Sequence, residues 1–227
     1  MPNKFSNWVT KVIAIFNKEI KSELRTRYAL NSILMFSVVT LTALSFTVGQ
    51  FSLTNSVKSA LLWIILFFSS MSGLAQVFIK EEERKTALML KLAAEPNAIF
   101  WGKFLFNLIL LLLLEIVTVP LFLILLNLPV QNWGLFLLIL ILGSIGLASA
   151  TTILGAIVSK TNVKGSLLTV LSFPILLPLL VIGIQGTKSA VNGASFSSGL
   201  GEIGFLFSYI VIMLTASILL FEIVWLE

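Results

Sequence analysis

The sequence predicts an all-α membrane protein: six transmembrane helices preceded by an amphipathic, interfacial N-terminal helix. Three observations carry that prediction. Of the 227 residues, 58% are apolar and only 11% are charged, against about 45–50% and about 25% in soluble domains. The apolar residues gather into six runs, each near the ~20 residues that a span needs. The cations between the runs fall almost entirely on one side. Residues 1–227 therefore read as a single transmembrane domain with no soluble insertion.

The elements follow in order. Residues 4–27 form an amphipathic helix. Lys4, Lys11, Lys18 and Arg25 recur every seven residues with Lys21 beside them, while Trp8, Val9, Val12, Ile13, Phe16 and Ile20 fall largely on the other side. Such a helix suits the cytoplasmic headgroup layer, its basic stripe near anionic lipid. Residues 1–30 show no short apolar core with a cleavage site, so insertion without processing is expected. The spans are then about Leu30–Gln50, Ala60–Ile79, Ile99–Leu126, Trp133–Val158, Leu167–Ile184 and Ile203–Val224. Pro120 offers the long third span a kink, and Pro174 and Pro178 should distort the fifth. The fourth carries Gly143, Gly146 and Gly155 among Ser144, Ser149 and Ala150, a composition suited to close helix packing. Residues 127–133 read as a tight turn and residues 185–202 as a mobile Gly/Ser-rich outer loop. No internal repeat is evident.

Lys and Arg set the orientation. Lys4, Lys11, Lys18, Lys21, Arg25 and Arg27 precede the first span. Lys80, Arg84, Lys85, Lys91 and Lys103 follow the second, and Lys160 and Lys164 follow the fourth. That places thirteen on one side against two, Lys58 and Lys188, on the other. The positive-inside rule then puts both termini in the cytoplasm. Topology accounts for the net charge of +5, and no nucleic-acid partner is expected.

The candidate functional residues lie in two places. Residues 80–96 begin polar, at Glu81, Glu82, Glu83 and Arg84. They then become amphipathic: on one helical wheel Arg84, Lys91 and Glu95 form a narrow polar stripe, Ala87, Leu88, Met89, Leu90, Leu92 and Ala93 cover most of the rest, and Pro96 breaks the helix. Leu88 and Leu90 on such a short helix call for the membrane interface or a partner groove. The second place is intramembrane. Glu115 inside the third span costs about 3 kcal/mol on insertion scales and should face the bundle interior, a cavity or another subunit. It is either a pathway residue or a hydrogen-bonded structural one. Gln76 and Asn107 are milder polar candidates, and Pro120, Pro174 and Pro178 are candidate hinges.

Several chemistries are excluded by composition. With no His and no Cys, neither a His-dependent intramembrane protease nor a Cys/His zinc site can be assembled. Gly186-Thr187-Lys188-Ser189 lacks the glycine before lysine and the strand–loop–helix setting of a phosphate-binding loop. The chain is expected to bind no metal, to hold no nucleotide site and to be no enzyme.

The layout resembles the permease subunits of ABC exporters, and most closely the haem exporter protein B (CcmB) family of the cytochrome c maturation system. The resemblance runs over essentially the whole chain. It is carried by KEIKSELRTRYALNSILMF, FIKEEERKTALMLKLAAEPNAIFWGKFLFN, GLFLLILILGSIGLASATTILGAIVSK and LLTVLSFPILLPLL in that order. It implies that Lys80–Pro96 is a coupling segment docking on an ABC ATPase subunit. Glu81, Glu82, Glu83 and Arg84 match the family's charged cluster, and Ala98, Ile99 and Lys103 match the entry to the next span. Many relatives carry Gly directly after the cluster, where this chain has Lys85. The resemblance further implies a bacterial inner-membrane complex. It would hold two copies of this chain, two ATPases, a haem-handling membrane protein and a haem chaperone, with ATP on the ATPase. Haem iron usually takes His, Met, Cys or Tyr. Here only Met35, Met71, Met89, Met213, Tyr28 and Tyr209 remain besides the initiator, so the iron ligands are expected on a partner. The alternatives are an ABC permease for lipid, polysaccharide or drug, and an ion-coupled transporter using Glu115.

Overall fold

A computed structural model describes residues 4–48, 53–161 and 164–226, with side chains described for all of these except 4–6, 48, 164–167, 169 and 226. The side chains of Lys4 and Lys164, and Gln50 at the expected end of the first span, lie outside the described residues. Helices run over α1 (Lys4–Thr26), α2 (Tyr28–Val48), α3 (Asn55–Gly73), α4 (Gln76–Glu83), α5 (Ala87–Ala93), α6 (Pro96–Leu125), α7 (Trp133–Ser159), α8 (Lys164–Val191) and α9 (Leu200–Leu226), with a 3₁₀ turn at Phe196–Gly199. No strand occurs among the described residues. Six segments are long and apolar enough to cross a membrane: α2, α3 with α4, α6, α7, α8, and α9 with its preceding 3₁₀ turn.

Burial sorts the helices. The middle and C-terminal half of α7 is enclosed by α8, α9, α6 and α4, and its small residues explain why. A Cβ on Gly143 would overlap the Trp63 ring, and one on Gly146 would overlap Leu179. A Cβ on Gly155 would stand 3.0 Å from the Ala75 Cα. The small-residue stripe therefore buries large neighbours, as its composition predicts. In contrast, α2 and α9 lie outside, showing Met35, Val39, Phe46, Phe207, Ile212 and Leu219 to their surroundings.

Pro120 lies within α6, and Pro174 and Pro178 within α8, and both helices are continuous through them. All three prolines sit on exposed sides. Two expectations need correction. The second span, expected as one run, is interrupted at Leu74 and Ala75 between α3 and α4, against Gly155. Residues 185–202 are mostly helical rather than a mobile loop, because α8 runs on to Val191 and α9 begins at Leu200. Their connection is tied down by Asn132, whose backbone N–H donates to Ala190 O at 3.0 Å and whose side chain donates to Ala194 O at 2.9 Å. Within α8, Thr187 of the GTKS sequence accepts a 2.8 Å hydrogen bond from Trp63 Nε1.

The amphipathic helix α1 also packs against the bundle. Its buried stripe packs along the N-terminal half of α6, where Ile15 covers Gly102. Of its basic stripe, Lys11 pairs with Glu95 at 3.5 Å and Lys18 pairs with Glu19 and Glu81. These two lysines meet protein carboxylates.

Candidate functional site: the charged end of the bundle

The site grows from the buried face of α1. Val12 and Ile15 are buried, and the same i+3/i+4 spacing carries Glu19 and Glu23 inward after them. Two carboxylates thus enter a packed interface. On α6, Lys103 lies between Phe100 and Phe104 and has 0% exposure. Its ammonium donates to Glu19 at 2.8 Å, to Val77 O at 3.0 Å and to Glu81 at 3.5 Å, and it stands 4.9 Å above the Phe78 ring. Three acceptors match the three donors of a lysine, so the buried charge is fully satisfied. Lys18 completes the cluster by pairing with Glu81. Partial burial alone would lower the Lys18 pKa; the Glu19 and Glu81 carboxylates outweigh it and raise it above the ordinary lysine value.

The cluster reaches every neighbouring element. Glu81 also accepts from the Thr86 hydroxyl, at the turn into α5. Glu23 pairs with Lys80 at 3.4 Å, and its other oxygen accepts the Leu30 backbone N–H at 2.9 Å, satisfying a free donor at the start of α2. Lys80 in turn lies 4.9 Å over the Tyr28 ring. Glu82 points the other way, to Lys160 at the end of α7, 2.9 Å away. Lys160 and Lys91 both stand over Trp225 of α9, at 5.6 and 5.9 Å. Partial burial, then the Lys160 charge, holds Lys91 below the ordinary lysine pKa. The short helix α4 is therefore a hub whose consecutive charges grip α1, α6 and α7.

The sequence-predicted residues divide accordingly. Glu81 is buried in the hub rather than displayed, Glu82 is half-buried in its ion pair, and Glu83 and Arg84 are exposed. The single helical wheel expected over this segment does not form, because Arg84–Thr86 is a turn with Lys85 in the left-handed conformation at φ 55°. That is the backbone glycine adopts freely. Beyond the turn, α5 buries Ala87 and Leu90 and exposes Leu88, Met89 and Leu92 at 68%, 74% and 84%. Leu90, expected on the docking face, belongs instead to the core beneath it, with Phe78, Phe100 and Trp225.

The intramembrane candidates are scattered. Along one face of α6, Asn107 donates to Thr152 of α7 at 2.9 Å with its own Oδ1 unpartnered, Glu115 is hydrogen-bonded with Ser144 of α7, and Thr118 donates to Ser37 of α2 at 3.1 Å. Gln76 is half-buried and lines a separate cleft beside α2. Pro120, Pro174 and Pro178 face outward and join none of these. The sequence reading missed Glu19, Glu23 and the burial of Lys103. Their signal was present: two carboxylates continuing an apolar stripe, and a lysine between two phenylalanines.

Comparison with known proteins bears on this arrangement. A family model described as "CcmB protein" matches residues 10–222, which takes in the hub, α5, five candidate spans whole and most of the sixth. No curated protein matched.

Proposed function

The chain belongs to the CcmB family, membrane components of the haem-export and cytochrome c maturation ABC system, and from that premise we propose that it is the permease subunit receiving force from a partner ATPase through α5. The observation that carries this reading is the exposed Leu88–Met89–Leu92 face, mounted on a hub of buried ion pairs. Exposed leucines at one end of a bundle call for a covering partner. A push there passes through the Lys85 turn to α4, then by Glu81 and Lys103 to α6 and α1, and by Glu82 and Lys160 to α7. ATP binding and hydrolysis belong to the partner, and two copies of this chain with two ATPases form the working unit. The charge asymmetry supports cytoplasmic termini in a bacterial inner membrane.

The test is co-purification. Leu88→Asp with Leu92→Asp should insert normally and lose the ATPase, because both side chains already lie outside the core. Leu90→Asp is unsuitable, since it would break the packing beneath α5. If the double variant still recovers the ATPase in full, docking is elsewhere.

Delivery of haem or release of its loaded chaperone toward cytochrome c assembly is the step this subunit serves, with the iron held by a haem-handling partner. The Tyr209 hydroxyl donates to Ile175 O at 2.9 Å, so that phenol is already engaged within the bundle. The chain purified alone is expected to show no stoichiometric hexacoordinate haem spectrum. Such a spectrum would overturn the assignment of the ligands to a partner.

A further inference from the structure

A cleft of about 870 Å³ opens between α2, the α3–α4 break and the start of α8. Phe36, Phe68 and Met71 supply its apolar wall, and Lys80 and Arg84 stand at its charged end. At Thr26 and Arg84 it meets a second hollow, lined among the described residues by Lys21, Ser22, Arg25, Thr26 and Arg84. Among the described residues, that lining brings together three cations and two hydroxyl residues and no carboxylate. Lys21, Arg25 and Arg84 make no ion pair among the described residues. By contrast, Lys80 is matched by Glu23. Glu83 also lines the apolar cleft but not the basic hollow. The unmet positive charge is therefore concentrated at one end of an amphipathic space.

The surroundings name the ligand's chemistry. The cleft borders the outward face of α2, where Met35 and Val39 are exposed beside Phe36, so an apolar chain can enter sideways from the bilayer. Arginine forks match phosphate oxygens, and basic pockets beside membrane helices recognise anionic headgroups. A zwitterionic headgroup would bring its own ammonium against three cations. We propose that the two hollows together bind one anionic phospholipid, its phosphate against Lys21, Arg25 and Arg84 and its acyl chains along Phe36, Phe68 and Met71. The bound lipid links the end of α1 to α4, beside the hub.

The experiment uses the full chain, delipidated in a neutral detergent. Its thermal midpoint is read with added dioleoyl phosphatidylglycerol, with dioleoyl phosphatidylcholine, and with inorganic phosphate. Phosphatidylglycerol is expected to raise the midpoint by several degrees and the other two by much less. Arg25→Gln with Arg84→Gln should remove that difference and leave the lipid-free midpoint unchanged, since both side chains are exposed. If the lipid-free midpoint falls, the single variant Lys21→Gln is read in the same way. Lys188→Gln, at the opposite end, should keep the full response. Native mass spectrometry should show one retained phosphatidylglycerol in the parent and none in the double variant. Equal stabilisation by the two lipids, or a response that survives both basic-site variants, would overturn the proposal. Phosphate alone reproducing the effect would make this a free-anion site and overturn it equally.

Discussion

Lys103 shows what a single residue does at the charged end. It is enclosed on all sides and holds Glu19, Glu81 and the Val77 carbonyl together. Removing one partner from a buried ion pair leaves the other charge unpaired, at a cost of about 3–5 kcal/mol. Lys103→Ala should therefore lower the thermal midpoint of the purified chain strongly. Replacing both charges, as Lys103→Met with Glu19→Gln, should cost less than the two single changes summed, and a double-mutant cycle measures the difference. A cycle with no coupling would show that the hub does not act as a unit. The sequence displayed these residues but not their meeting. Glu19 and Lys103 are eighty-four positions apart, and only the packing of α1 on α6 brings them within a hydrogen bond. Glu115 was legible as a residue that must turn inward, because charge facing lipid is costly. Its bonding with Ser144 needed the α6–α7 interface.

Among the elements, the corners set the geometry. Arg27, Lys85 and Asn127 each turn the chain from one helix to the next with positive φ. Asparagine tolerates that conformation, whereas lysine and arginine are strained there by about 1–2 kcal/mol. Lys85→Gly should relieve the strain at the α4–α5 turn, stabilising the chain by about 1 kcal/mol and raising its thermal midpoint modestly. No change, or a fall, would mean that the side chain is needed where it stands. Helix existence was legible throughout, since each long apolar run is helical; the bounds were closest for the third and fourth runs, while α8 runs seven residues past the expected Ile184. The breaks were not. The prolines marked candidate kinks within α6 and α8, which are continuous through them, while the second span breaks at Leu74–Ala75, where α7 presents Gly155. A proline reports on its own backbone; the Ala75 approach depends on a residue eighty positions away.

For the molecule as a whole, the distribution of charge predicts which end faces the cytoplasm. Thirteen of fifteen Lys and Arg residues belong to one side, and the described members of that set gather around the hub and the basic hollow. With no native cysteine, single reporters can test the orientation. Leu92→Cys should react with a membrane-impermeant thiol reagent only from the cytoplasmic side, and Ser197→Cys only from the opposite side. The reverse pattern would invert the topology. The sequence by itself determined that the chain dissolves in lipid, how often it crosses and which loops carry charge. Those properties follow from composition and local periodicity, which act residue by residue along the chain. Only the tertiary structure decided which charges are used internally and which are left over. Glu81, Glu82 and Lys103 are drawn into the hub, while Arg84, Leu88 and Leu92 remain exposed. That division depends on which helix faces which, a property of packing across distant segments that no local stretch of sequence contains.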